Sequence, residues 1–321
     1  MDLALRFAAL VSALAPICLL ALFFYARAGG RVSAELIGLG MMFGAISTFF
    51  PLGFALLLQL AGWDVSGIGN VYLRGIARAF LMAALPEELA KLCVLLLVVM
   101  RHEFCDRPED VLVGSIAVAL GFAACENVFY LFTALENGRL AIIGSARAAI
   151  TVPMHAIDGV FMGLFVSGLV KSGSPARQIL TGLGVVILLH GLYDAPLMIA
   201  GNFSNLRTWQ ELILPGGLLA FFLLFTIVVG ALGLRWLRFV TEAMPSSSQD
   251  ADFWHRLLLS RWLWRVIGVC LLLFGVGAFA YAGWSFAHKD AQGAIFLIHG
   301  FVPILFGLAM LRLTPRGAKA A

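Results

Sequence analysis

The sequence predicts an all-α protein, a polytopic transmembrane helical bundle of about nine spans with its N-terminus outside and its C-terminus in the cytoplasm. Three observations carry that expectation. Hydrophobic residues make up 61% of the 321 and charged residues only 12%, about half the charged share of a soluble domain. The apolar residues gather in long runs with few charges, each of about the 20 residues that a helix needs to cross the hydrocarbon core. Lysines and arginines divide unevenly between alternate loops.

Taken in order, the spans fall near 7–25, 36–60, 79–100, 111–133, 148–170, 178–200, 212–234, 265–287 and 291–311. Helices are expected throughout, because backbone polar groups in lipid must be satisfied within the segment and these runs are too long for barrel strands. The first run follows Arg6 and is longer than a signal-peptide core. Ala26-Arg27-Ala28 resembles a cleavage site only faintly, so a retained helix is expected. Residues 64–78, with Gly67, Gly69, Arg74 and Gly75, read as an interfacial elbow between spans 2 and 3. A linker over 245–252 (Pro-Ser-Ser-Ser-Gln-Asp-Ala-Asp) sets off the last two helices. The chain thus divides into a core over 1–205 and C-terminal helices of unassigned role over 206–321.

The loops after odd-numbered spans hold fourteen Lys and Arg and those on the other side seven, with Lys91 alone inside a span. That asymmetry gives the orientation by the positive-inside rule. It also accounts for the isoelectric point near 8.9 without a nucleic-acid partner; the partner implied is a lipid bilayer. The five cysteines have no paired spacing and read as small buried hydrophobes.

Ionisable side chains inside spans are costly and by default mark function. Span 3 holds Glu87, Glu88 and Lys91, span 4 holds Glu126 beside Asn127 and one turn before Tyr130, span 5 holds His155 and Asp158, and span 6 holds His190 and Asp194. Glu87 and Lys91 are four apart, Glu88 and Lys91 three, His190 and Asp194 four, so each pair shares a helix face. The lysine can neutralise one glutamate and leave the other for chemistry, and Asp194 can orient His190. At 1.5 Å per residue, Glu87 and His155 lie about 12 and 10 Å below the outer starts of their spans, and Glu126 and His190 about 10 and 15 Å short of their outer ends. Four helices bring polar groups to one depth in the outer half of the membrane. His299 stands apart and reads as a packing residue.

Hydrolysis is one chemistry that suits such a set. A carboxylate takes a proton from water, one histidine positions that water and another donates to the developing oxyanion. Water activated by a metal is an alternative, since two histidines and a glutamate (His155, His190, Glu126) are a set that zinc takes. Proton-coupled transport through the same acids and histidines is a third reading, and a non-catalytic scaffold a fourth. No HExxH occurs, and no Ser or Cys stands in a nucleophile motif.

Four motifs occur in order on successive spans: Glu87-Glu88-Leu89-Ala90-Lys91, the G-F-x-x-x-E-N-x-x-Y of Gly121 to Tyr130, the V-P-x-H-A-x-x-G of Val152 to Gly159, and His190-Gly191-Leu192-Tyr193-Asp194. Together they resemble the PrsW-type intramembrane proteases, relatives of the CAAX prenyl endoproteases, over residues 75–200. The resemblance implies a multi-pass protein of the bacterial inner membrane that cleaves membrane-anchored substrates such as anti-sigma factors. It implies Glu87 or Glu88 as general base, His155 sharing the water, and His190, supported by Asp194, binding a metal or the oxyanion. Lys91, Asn127, Tyr130 and Asp158 become supporting or substrate-binding residues. Asparagine commonly fills the Asp194 role in the CAAX-type relatives.

Overall fold

A computed structural model of the chain describes residues 3–28, 32–171 and 173–200, with single positions beyond them. Spans 7 to 9, the linker over 245–252, Cys270 and His299 lie outside the described residues. Every regular element among the described residues is helical. Among the described residues, four helices are long and apolar enough to cross a membrane: Leu3–Tyr25, Ala34–Leu60, Pro108–Glu136 and Pro175–Ile199.

The chain forms two compact units, Met1–Arg31 with Asn127–Pro153 and Leu234–Ala321, and Val32–Glu126 with Met154–Gly233. In the first, helix α1 (Leu3–Arg27) packs on α7 (Leu140–Ala146) and on the π-helical turn Arg147–Thr151 that follows it. The second unit holds α2 (Ala34–Ser47), α3 (Phe49–Leu60), α4 (Val71–Ala77), α5 (Leu85–Leu97), the N-terminal part of α6 (Pro108–Glu136), most of α8 (Val152–Val166), and α9 (Pro175–Ala200).

Prolines and caps explain where these helices start and break. Pro108 and Pro175 open α6 and α9, where the missing N–H is not needed and the fixed φ suits the first turn. Glu109 and Asp110 follow Pro108, placing negative charge at the positive end of the α6 dipole. Pro51 cannot donate to the carbonyl of Ser47 and its ring crowds that carbonyl, so span 2 breaks at Thr48 between α2 and α3. The Thr48 hydroxyl donates to the Phe122 carbonyl of α6 at 3.4 Å. Pro86 and Pro153 act differently: each is the second residue of an α segment that follows a π-helical turn, Arg78–Ala84 before α5 and Arg147–Thr151 before α8. Widening the helix there removes the need for the hydrogen bond that proline cannot make. Gly138, at φ +67°, closes α6.

The elbow is shorter than expected. Asn70 accepts from the backbone N–H groups of Tyr72 and Leu73, both at 3.0 Å, and this cap starts α4 at Val71. Residues 71–78, expected in the elbow, are therefore helical and run into span 3 through the π turn. Upstream, Asp64 caps a short 3₁₀ turn (Val65–Gly67). Hydrogen bonds from the Ser66 hydroxyl and backbone hold the Asp64 carboxyl below its usual range.

Small residues let the helices of the second unit approach closely, as helices in lipid do. A Cβ added to Gly121 of α6 would lie 2.0 Å from the Met41 carbonyl oxygen of α2, and one on Gly159 of α8 would lie 2.9 Å from the Ile116 Cα of α6. Among the described spans, helix α6 is the most enclosed, with 78% of its apolar stretch buried, against 11% for α2 and α3. Cys18, Cys93, Cys105 and Cys125 are all free thiols.

Candidate active site

Four helices of the second unit deliver the polar side chains. Glu87 and Glu88 occupy the first turn of α5, and Lys91 lies one turn on. Phe122 and Glu126 share a face of α6 at a spacing of four residues, His155 and Asp158 lie three apart on α8, and His190 and Asp194 four apart on α9. Glu88, Lys91, His155, Asp158 and His190 are buried.

Lys91 sits at the centre. Its Nζ donates to Glu88 Oε1 at 2.7 Å, lies 3.1 Å from His155 Nδ1 and 3.8 Å from Glu87 Oε2, and stands 4.2 Å above the Phe122 ring. Glu88 Oε1 also lies 2.7 Å from His190 Nδ1. The other His190 nitrogen, Nε2, faces Asp194 Oδ2 at 3.5 Å and Glu87 Oε2 at 3.8 Å. On the far side of Lys91, His155 Nε2 lies 3.0 Å from Glu126 Oε2. The two imidazoles meet edge to face, 5.6 Å between centroids.

The two adjacent glutamates are thus unequal. Glu88 is 1% exposed and engaged by a lysine and a histidine. Glu87 is 9% exposed, and its Oε2 is buried with no hydrogen-bond partner. Asp158 Oδ1 is likewise buried and unbonded. Buried polar atoms of this kind need a reason, such as a catalytic role or an ion.

The structure therefore brings together Glu87, Glu88, Lys91, Glu126, His155, Asp158, His190 and Asp194. Asn127 and Tyr130, expected beside them, belong to a different cluster in the first unit. The Asn127 amide donates to the Ala13 carbonyl of α1 at 3.1 Å and accepts from Arg147 Nε, and the Arg147 guanidinium lies 4.1 Å from the Tyr130 ring centroid. The reason is geometric: adjacent residues on a helix point about 100° apart, so Glu126 and Asn127 cannot face one point. Sequence reasoning missed Phe122 and Arg147. The signal for Phe122 was its four-residue spacing from Glu126; for Arg147 it was a cation within five residues of the start of a predicted span.

The profile of the PrsW family intramembrane metalloproteases matches residues 33–232. This chain belongs to that family. A Protease PrsW from Geobacillus kaustophilus is 41% identical over 120 residues, covering 37% of this chain and 51% of the relative. One from Clostridioides difficile is 32% identical over 125 residues, 38% of this chain and 52% of the relative. In both, the matched stretch spans about half of the relative's own length. The match to the Halalkalibacterium halodurans Protease PrsW extends further, 31% identical over 198 residues, with 60% of this chain and 85% of the relative covered. No solved structure matches the chain.

The metal that the PrsW family description implies can be tested against the donor atoms. Among the described residues, two groups of three each have donor atoms that all lie within 4.8 Å of one another: Glu87, Glu126 and His155, and Glu88, Asp158 and His190. The expected ligands His155, His190 and Glu126 are divided between them. His190 Nε2 also has carboxylate oxygens of Asp194 and Glu87 at 3.5 and 3.8 Å. Those separations are near the roughly 3.3 Å between ligands that share a tetrahedral zinc at 2.0–2.1 Å. Glu87 Oε2 is the oxygen without a hydrogen bond. Glu88 against Nδ1 is the kind of carboxylate partner that orients a metal-binding histidine. The residues present fit a divalent ion there.

Proposed function

We propose that the chain is an intramembrane endopeptidase that hydrolyses peptide bonds of membrane-anchored proteins, of anti-sigma-factor type, near the outer leaflet of the bacterial inner membrane. The observation that carries this reading is the pairing of Glu87 and Glu88. One carboxylate is held by Lys91 and His190, while its neighbour keeps an unbonded oxygen in the same buried cluster. In this reading Glu87 is the general base, within reach of a water through which it accepts a proton. Glu88 holds Lys91 and the ring of His190 in place. His155 shares the water, and His190 donates to the oxygen on which negative charge develops. Asp194 steadies His190, and Glu126 does the same for His155.

If a zinc ion is held at His190 and neighbouring carboxylates, the chemistry it would supply is Lewis acidity, which eases deprotonation of water and attack on a carbonyl. The loop charges support a multi-pass topology with an outer N-terminus, which would put the cluster toward the outer leaflet. Co-expression with candidate single-span proteins tests the reading. Cleavage by the wild type that is lost in Glu87→Gln supports it; full cleavage retained by both Glu87→Gln and Glu88→Gln ends it.

A further inference from the structure

We propose that Lys91 is a positioning residue that decides which nitrogen of His155 carries the proton, so that His155 presents Nε2–H, a donor, rather than a lone pair. The inference rests on the hydrolytic reading for its meaning, though not for its test.

The argument is an inventory of donors. An ammonium has three donors and no acceptor. Lys91 Nζ is buried, where charge is disfavoured, but it lies 2.7 Å from a glutamate oxygen, and that carboxylate partner keeps it an ammonium. Its second close partner is His155 Nδ1 at 3.1 Å, and that contact is a hydrogen bond only if Nδ1 accepts. A neutral imidazole with an accepting Nδ1 carries its proton on Nε2. Nε2 in turn lies 3.0 Å from Glu126 Oε2, an acceptor, so the same tautomer satisfies both contacts. The opposite tautomer would set N–H against an ammonium on one side and a lone pair against a carboxylate on the other. The aromatic neighbours of His155, Phe122 and His190, meet it at centroid separations of 5.9 and 5.6 Å and do not change this count.

Two consequences follow. A metal takes an imidazole lone pair, and in this arrangement the only lone pair of His155 points at Lys91. His155 therefore gives its one N–H to Glu126 and has no lone pair left for a metal, so that ligation falls to His190. The lysine of the E-E-x-x-K motif thus acts on two helices at once, holding the Glu88 charge on α5 and the His155 tautomer on α8.

Nitrogen NMR on the full chain in lipid vesicles, labelled with ¹⁵N at histidine, reads the tautomer directly, because protonated and unprotonated ring nitrogens resonate far apart. The His155 signals are those lost in His155→Gln. The wild type should show Nε2 protonated and Nδ1 unprotonated. Lys91→Met should release the ring to a mixture of tautomers, whereas Lys91→Gln, which keeps an N–H donor without the charge, should retain more of the original form. In a cleavage assay Lys91→Met should lose kcat by at least tenfold more than it changes KM. A wild-type His155 with Nδ1 protonated, or with both nitrogens protonated, overturns the proposal. So does an unchanged spectrum in folded Lys91→Met, and if that variant does not fold the wild-type spectrum decides. Should the expected spectrum be found in a chain that cleaves nothing, the hydrolytic reading falls and the Lys91 assignment stands.

Discussion

Exchanging each adjacent glutamate for glutamine should separate two functions that lie one residue apart. Glu88→Gln removes the charge from the carboxylate that holds Lys91 at 2.7 Å and His190 Nδ1 at 2.7 Å. The nearest remaining carboxylate to the ammonium is Glu87 at 3.8 Å. Removing one partner of a buried ion pair costs about 3–5 kcal/mol, and the amide oxygen of glutamine still accepts, so a loss of about 3 kcal/mol of stability is expected. Glu87→Gln meets a different situation. Its Oε2 makes no hydrogen bond, and its nearest partners, Lys91 Nζ and His190 Nε2, are both 3.8 Å away, so its stability should change by only about 1 kcal/mol. Its catalytic effect should be large, because glutamine cannot accept the proton. Loss of a general base is typically 10²–10⁴-fold, about 3–5 kcal/mol in the barrier. The measurements are denaturant unfolding in detergent and single-turnover cleavage of a reconstituted single-span substrate. A Glu88→Gln variant as stable as the wild type, or a Glu87→Gln variant that cleaves at the wild-type rate, would refute the division of labour.

Elemental analysis of purified protein should find that His190→Gln lowers zinc content per chain while His155→Gln does not; equal retention by both would remove His190 as the ligand. Gly121→Leu should fail to accumulate as folded protein, since its Cβ would lie 2.0 Å from the Met41 carbonyl and overpacking costs about 1–3 kcal/mol or more; normal yield and thermal stability would contradict the close approach of α2 and α6. Arg147→Met should cost about 1.5–3 kcal/mol through loss of the charged hydrogen bond to Asn127, while Tyr130→Phe keeps the ring under the guanidinium and should leave cleavage rates within about twofold.

Much of the site was legible because helical periodicity is a strong constraint. The three-residue step from Glu88 to Lys91 and the four-residue step from His190 to Asp194 each predict a shared face, and both pairs are in contact. Equal depth on four spans predicts that their polar groups meet, and the distances among Glu87, Glu88, Lys91, Glu126, His155 and His190 show that they do. What stayed hidden depended on rotation about the helix axis. Glu126 and Asn127 have nearly the same depth yet different faces, and the motif that joins them says nothing of that rotation. Which glutamate Lys91 prefers was also hidden, because spacings of three and four are both within its reach. The start of α4 at Val71 was readable in the Asn70 cap, but the glycines nearby weighed more heavily toward a loop.

The π-helical turn over Arg78–Ala84 sets the angular phase of everything after it. A π turn takes in one residue more than an α turn, and each residue of an α-helix advances about 100°. Residues before the turn and residues after it are therefore out of step by about that angle, as though a letter had been inserted into the periodic pattern. Gly75 keeps its place against Ile199 of α9, while Glu87, Glu88 and Lys91 are swung together toward the histidines. Deleting one residue between Ala79 and Ala84 would remove the extra residue of the π turn and set the ring of Pro86 against the carbonyl one α turn before it. Every contact before it would keep its bearing, and the three charged side chains would turn as a block by about 100° toward a different neighbour.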